Sequence, residues 1–465
     1  MSAYLRVTPT PHHRAAPRLA EGGYRTTDRV HARRWTLLLL ALVITPLALC
    51  VGVGRLGPDS MTAELAVAGG LVALSLMVAA MVLPSRIKFL TAQLGIETVL
   101  RAHRAVAILA VLFVAVHVVL VVAANPKGLR ILDLRSAPPR VWAASAATVA
   151  IGALVVLAIT RRRRNPRYEG WRIVHVVLAT VAMVGTALHV LWLHILVDRT
   201  LTRWWFAGLT ALMVLLAVYR WAWRPLRMLR RPYVVEEVRP ESSSSVTLVL
   251  RARGHVGVKF RPGQFAWLKF GGSPFTFEEH PFTIASAATE PARKEFTIKA
   301  LGDFTELLSG LRPGRRVYLD GPHGRFTTDG LRSAGFVLVA GGVGITPMLS
   351  ILRTLAERRD RRPHLLLVGA RSVEDFLHRA ELADLQRRLD LVVIEVVGDP
   401  PEGWWGEEGY IDKYLLDNYL PRGRLRTRTD YFLCGPPPML SAVLDALYDL
   451  EVPAHRVHTE MFDMV

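Results

Sequence analysis

Apolar residues along this chain fall into two regimes. Between residues 35 and 223 they form six long runs, at about 35–54, 63–83, 99–123, 141–160, 171–196 and 204–223. Each is long enough to cross a hydrocarbon core of about 30 Å as a helix rising about 1.5 Å per residue. Beyond residue 232 the pattern shortens: segments 246–251, 265–270, 295–299 and 316–319 alternate or are β-branched between Gly and Pro turns, which predicts a small antiparallel β-barrel. From residue 335 strand patterns at 336–340, 365–368, 391–397 and 431–433 are interleaved with helical ones after Thr346, over 374–389 and near the end. That alternation predicts an α/β doubly wound parallel sheet. The expected organisation is a disordered basic tail at 1–34, an all-α six-helix transmembrane bundle at 35–224, the barrel at 232–330 and the α/β domain at 331–465, with residues 221–232 as a basic, Trp-flanked exit from the membrane.

Composition sharpens the membrane reading. Of 465 residues 51% are hydrophobic, too many for an ordinary soluble enzyme of this length. The formal net charge of +19 raises nucleic acid as a partner. The basic residues instead flank the apolar runs, so lipid is the expected neighbour and nucleic acid is not. Nineteen Lys and Arg lie in the tail, in 84–100, in 161–172 and in 224–231, against seven in the alternating connections. By the positive-inside rule the first set faces the cytoplasm, and both termini with it.

Two of the runs carry histidines at one spacing. His103 and His117 are 14 positions apart, and so are His175 and His189. Fourteen helical steps return to within about 40° of the starting direction and advance about 21 Å, so each helix shows both imidazoles on one face. A lone histidine on an apolar helix is ordinarily a satisfied core or interface residue. Four with matched spacing are another matter, because an ionisable side chain inside a membrane is costly and marks a functional site. Two such helices facing one another could clamp two haems, His103 with His175 toward the cytoplasm and His117 with His189 toward the outside. Imidazole on both axial positions leaves iron no open site, which suits electron transfer. The two cysteines, Cys50 and Cys434, cannot supply the four thiolates of an iron–sulfur cluster, so the one-electron centre is haem or flavin.

The chemistry of the second half is written in ordered motifs. Gly341-Gly342-Val343-Gly344-Ile345-Thr346-Pro347 follows a strand and opens a helix, where glycines let the backbone approach a pyrophosphate and free N–H groups receive it. HPFTIAS at 280–286 and KALGDFT at 299–305 precede it, and LCGPPPM at 433–439 follows. This set resembles the ferredoxin reductase superfamily and, joined to the paired-histidine helices, its ferric reductase and NADPH oxidase branch. The resemblance implies that His280 and Lys299 contact the FAD phosphates, with Pro281 and Ser286 in the same flavin-binding segment. Phe282 would lie along the ribityl chain and ring, and Thr283 would hydrogen-bond near flavin N5. Gly302, Asp303 and Thr305 would form a second phosphate-side turn. Gly341, Gly342, Gly344, Thr346 and Pro347 would hold the nicotinamide cofactor's pyrophosphate. Cys434-Gly435-Pro436 would place a thiol beside the nicotinamide, making Thr283 and Cys434 the catalytic pair; a buried structural thiol is the ordinary alternative for Cys434. Phe462 would stack on the flavin. Arg371, just past a parallel strand, is positioned to read a 2′-phosphate, which favours NADPH over NADH.

The expected function is electron transfer from cytoplasmic NADPH or NADH through FAD and two b-type haems to an acceptor outside the plasma membrane: oxygen, a ferric or cupric chelate, a quinone, or a periplasmic or extracellular protein. Two rivals are a membrane-anchored flavin reductase serving a soluble acceptor or protein partner, and a non-catalytic membrane scaffold.

Overall fold

The computed structural model describes residues 26–52, 60–87, 95–125, 133, 135–164, 168–194 and 199–461. Its amino-terminal region is helical: α1 (Thr26–Gly52), α2 (Met61–Val82), α3 (Ile96–Ala124), α4 (Pro139–Arg164), α5 (Tyr168–Leu193) and α6 (Thr200–Val218). Five stretches among the described residues are long and apolar enough to cross a membrane: Met61–Ser85, Thr98–Ala124, Pro139–Arg161, Gly170–Leu193 and Thr200–Leu229. The first expected span, 35–54, falls on α1 and is not one of these five. That helix begins at Thr26, inside the expected tail, and carries Pro46. Residues 1–25 of the tail lie outside the described residues.

Apolar side chains on these helices split between two environments. Leu71, Leu74 and Val78 of α2 pack with Phe206, Leu209 and Met213 of α6, while Ile108, Leu112 and Val119 of α3 and Val177 and Val184 of α5 are exposed. An exposed apolar shell around a packed helical centre is what lipid as solvent requires. The expected exit at 221–232 is helical as far as Leu229. A wide turn at Tyr219–Trp223 runs directly into α7 (Arg224–Leu229).

Beyond α7 lies a six-stranded sheet of order β4-β3-β6-β1-β2-β5, built from β1 (Tyr233–Ser242), β2 (Ser245–Ala252), β3 (Phe265–Lys269), β4 (His280–Thr283), β5 (Arg293–Lys299) and β6 (Arg316–His323). Every pairing within it is antiparallel. The two edge strands approach each other, Ala285 N donating to Glu295 O at 2.7 Å. The sequence pattern missed β1, whose polar positions interrupt the alternation, and β4, which is short and contains Pro281.

The last region is a parallel sheet of order β10-β9-β8-β7-β11-β12. Its strands are β7 (Phe336–Gly341), β8 (His364–Ala370), β9 (Leu391–Val397), β10 (Glu407–Glu408), β11 (Asp430–Cys434) and β12 (Val457–Glu460). α8 (Ile345–Glu357), α9 (Arg379–Arg388) and α10 (Pro437–Asp449) accompany it. Two hydrophobic clusters form, one containing α8 and the other α10. This is the layering that strands apolar on both faces demand. The helix expected over 374–389 starts only at Arg379, after a single turn at Val373–Asp375 closed by Ser372 and Asp375.

Candidate functional site

The helical region brings the four spaced histidines into two pairs. Ring centres of His103 and His175 lie 6.4 Å apart, and those of His117 and His189 lie 6.5 Å apart. Pairing in that order means that α3 and α5 run parallel. His103 Nδ1 lies 2.8 Å from Ala80 O, His117 Nδ1 2.7 Å from Ala66 O and His189 Nδ1 2.9 Å from Arg140 O. A carbonyl only accepts, so each of these Nδ1 atoms carries the proton and leaves Nε2 with its lone pair free. His175 is held differently, stacked on Trp171 at 5.2 Å. Gly70 gives His117 its room: a Cβ there would stand 2.9 Å from the imidazole.

The expected flavin segment is β4 and the residues just after it. The β3–β4 register sets Leu268 opposite His280 and Phe265 opposite Thr283. Thr283 Oγ1 and Ser286 Oγ are buried and have no protein partner among the described residues. Buried hydroxyls in that condition cost free energy unless something else bonds them, so they fit a bound polar ligand. Phe282 is half-buried. The His280 ring stacks on Phe304 with centres 3.6 Å apart, which joins this strand to the 302–305 turn. There Thr305 Oγ1 accepts from Leu301 N at 2.9 Å and Gly302 N at 3.1 Å. Thr305 therefore shapes the turn, and its amide-facing capacity is already used. Lys299 ends β5, half-buried.

The glycine loop crosses the 433–439 segment at backbone contact. Cys434 ends β11, fully buried, opposite Ala340 of β7. A Cβ at Gly344 would stand 2.2 Å from Cys434 O. Gly341 lies against Pro436 and Met439, and Gly435 lies against Gly341. Gly342 takes φ +54° with open space beyond it, so the loop presents bare backbone ahead of the amino terminus of α8. Thr346 and Pro347 are buried in the first turn of that helix, where Thr346 Oγ1 donates to Val343 O at 3.0 Å.

Arg371 lies just past β8, exposed, and its Nε donates to Asp399 Oδ2 at 3.0 Å. Reading the sequence singled out the guanidinium and missed this carboxylate, which follows β9. Asp399 is legible only once β8 and β9 are known to be neighbours. Phe462 lies outside the described residues.

The sequence reading also missed a buried charge cluster between the helical region and the antiparallel sheet. Glu279 Oε1 meets Arg86 at 2.6 Å, Arg172 at 2.8 Å and Arg220 at 3.2 Å. Asp320 pairs with Arg224 and, at 3.2 Å, with Arg86. Burial alone would raise the pKa of Glu279, but the charges of Arg86, Arg220, Arg172 and Lys269 outweigh it and hold the carboxyl well below the usual range. Asp320 is lowered against its own burial by His323 and the guanidiniums of Arg224 and Arg86. The available signal was basic residues ending several apolar runs and an acidic pair, Glu278-Glu279, before the 280–286 motif.

Helices of membrane-spanning length are thus followed by an antiparallel sheet and a parallel one. Family comparisons agree domain by domain: residues 69–186 match the ferric reductase-like transmembrane component, 239–325 an FAD-binding domain and 338–445 the oxidoreductase NAD-binding domain. In succession along the chain, a ferric reductase-like transmembrane region is thus followed by FAD-binding and NAD-binding regions. It is 31% identical over 236 residues to the reductase component of propane 2-monooxygenase from Rhodococcus jostii, covering 49% of this chain and 62% of that protein. NADH-cytochrome b5 reductase 1 of Cryptococcus neoformans is 30% identical over 172 residues, covering 35% of this chain and 58% of its own. The chain thus spans about three fifths of the length of these relatives. Among solved structures, a cytochrome P450 reductase from Amycolatopsis covers 50% of this chain and 69% of its own at 25% identity, with a TM-score of 0.43.

The crossing at Gly344 generates a test. Gly344→Ala should force the loop off Cys434 and raise KM for the reduced nicotinamide by roughly tenfold, the scale of about 1.4 kcal/mol, while bound FAD is retained. Steady-state kinetics with flavin quantification checks this. An unchanged KM would show that the loop does not hold the cofactor.

Proposed function

We propose that this chain carries electrons from cytoplasmic NAD(P)H through FAD and two b-type haems to an acceptor on the far side of the plasma membrane, with α1 as a sixth crossing. The observation that carries the reading is the pair of imidazole gaps. Two metal–imidazole bonds of about 2.0 Å, with ~1 Å more from each ligating nitrogen to its ring centre, set the rings about 6 Å apart. Both gaps match that sum, and three of the four rings spend Nδ1 on a backbone carbonyl, which leaves Nε2 as the nitrogen able to ligate.

When bound, FAD supplies the conversion of a two-electron hydride into single electrons, and haem carries them one at a time. The chain's own residues do the rest. His103 and His175 would hold the inner group, and His117 and His189 the outer. Arg172, three residues before His175, donates to Phe277 O at 3.1 Å, so the first pair is the one beside the flavin domain. Thr283 and Ser286 would bond the flavin, Gly341 to Gly344 would receive the dinucleotide's pyrophosphate, and buried Cys434 would bound the nicotinamide side. With the cytoplasm negative, each electron moved outward gains about 2.3 kcal/mol per 100 mV. The acceptor class is a small oxidant such as oxygen or a metal chelate, or a periplasmic or extracellular protein; lipid surrounds the helices.

His117→Ala or His189→Ala should leave roughly half the haem, still reducible by NAD(P)H, with transfer to external acceptors lost. His103→Ala or His175→Ala should leave outer haem reducible by dithionite but not by NAD(P)H. Haem content and absorbance of the purified variants decide it. A His117 variant with two haems and an unchanged bis-imidazole spectrum contradicts the pairing.

The Arg371–Asp399 pair bears on the choice between NADH and NADPH. A 2′-phosphate reaching Arg371 would lie beside the negative charge of Asp399, which already takes the Nε donor, so the geometry counters the preference for NADPH that Arg371 alone suggests. Asp399→Asn should lower KM for NADPH relative to NADH by roughly fivefold, the size of an exposed charge interaction. An unchanged ratio removes Asp399 from cofactor choice.

A further inference from the structure

The Glu279–Asp320 cluster joins parts of the chain that covalent continuity holds only loosely. The helical region and the flavin domain are linked through Arg230 to Pro232, between α7 and β1. Such a link fixes one point and leaves rotation about it. The charge cluster adds a second anchor on distant segments. Arg86 follows α2, Arg172 belongs to α5, and Arg220 and Arg224 lie in and just after the wide turn that ends α6.

The acidic side comes from the flavin-binding strands. Glu279 is the residue immediately before β4, and its side chain is fully buried. Asp320 lies on β6 opposite Trp267 of β3, so the two carboxylates sit on the β4-β3-β6 end of the sheet. Arg86 does the most, bridging Glu279 and Asp320 while its guanidinium lies 3.9 Å from the centre of the Trp267 ring. Its backbone adopts φ 56°, the left-handed region that a residue with a long side chain seldom enters unless its surroundings hold it there. Lys269 of β3 completes the ring around Glu279 at 3.6 Å.

We propose that Glu279 and Asp320 are positioning residues that seat the flavin strand on the cytoplasmic helix ends beside His103 and His175, so that the flavin-to-haem step depends on them and the nicotinamide-to-flavin step does not. This rests on the electron path proposed above. A buried ion pair contributes little net stability but fixes orientation, because neutralising one partner strands the other's charge away from water. Removing one carboxylate therefore loosens the seat, while the β3–β4 pairing and the nicotinamide domain keep their own contacts.

The test uses the full-length protein loaded with FAD and haem, mixed with NADH in a stopped-flow instrument that follows flavin and haem absorbance separately. In Glu279→Gln and Asp320→Asn, flavin reduction should stay near the wild-type rate while haem reduction slows by about tenfold or more. Glu279→Asp, which keeps the charge on a shorter arm, should be intermediate. Hydrogen exchange supplies a readout independent of turnover: amides of residues 270–279, between β3 and β4 and outside their pairing, should exchange faster in both neutral variants and near the wild-type rate in Glu279→Asp. Wild-type haem reduction and wild-type exchange in the variants would overturn the proposal, as would equal slowing of the flavin and haem steps. A wild-type protein whose bound haem is never reduced by NADH would instead overturn the electron path itself.

Discussion

An imidazole placed among apolar helices has two nitrogens to satisfy and no water to do it, and much of the membrane half is arranged around that constraint. Carbonyls of Ala80, Ala66 and Arg140 take one nitrogen from three of the rings. To reach them, α3 must lie against α2 and α5 against α4. The 14-residue spacing then stacks two ring pairs across the gap between α3 and α5. Small residues make the approach feasible, as at Gly70, where any side chain would meet His117.

The same economy governs the junction with the soluble half. Arginine at the cytoplasmic end of a membrane helix sets topology, and in water it would need nothing more. Here three arginines at or near the ends of apolar helices are buried, a fourth, Arg220, is nearly so, and all four turn onto two carboxylates of the flavin domain. Topology and docking thus share residues. Farther out, the glycine loop and the 433–439 segment meet at backbone distance at the carboxyl edge of the parallel sheet, where such sheets place their ligands.

What could be read from sequence follows from what is local. Periodic apolar runs gave the membrane helices to within a few residues, apart from the start of α1 at Thr26, and β7, β8, β9 and β11, apolar on both faces, stood out equally well, whereas the two-residue β10 and the edge strand β12 did not. The segments that escaped depend on neighbours: β1 and β4 are short on alternation and are strands because β2, β3 and β6 pair with them. Among site residues, the four histidines announced their partners through spacing, and the flavin and nicotinamide motifs through order. Asp399, Glu279 and Asp320 did not, since each acts on a residue brought to it by the fold from 28 to 234 positions away. The arginines were visible, but their count at the helix ends already had a sufficient explanation in membrane orientation.

The central claim is that the two ring pairs each hold one haem. It is tested most directly on the unmodified chain, by measuring haem per polypeptide in the purified protein together with the low-temperature magnetic resonance of the oxidised iron. Two haems per chain, both low-spin with bis-imidazole signals and both reduced by NAD(P)H, are what the account predicts. One haem or none per chain, or a high-spin signal from iron with an open axial position, would contradict it.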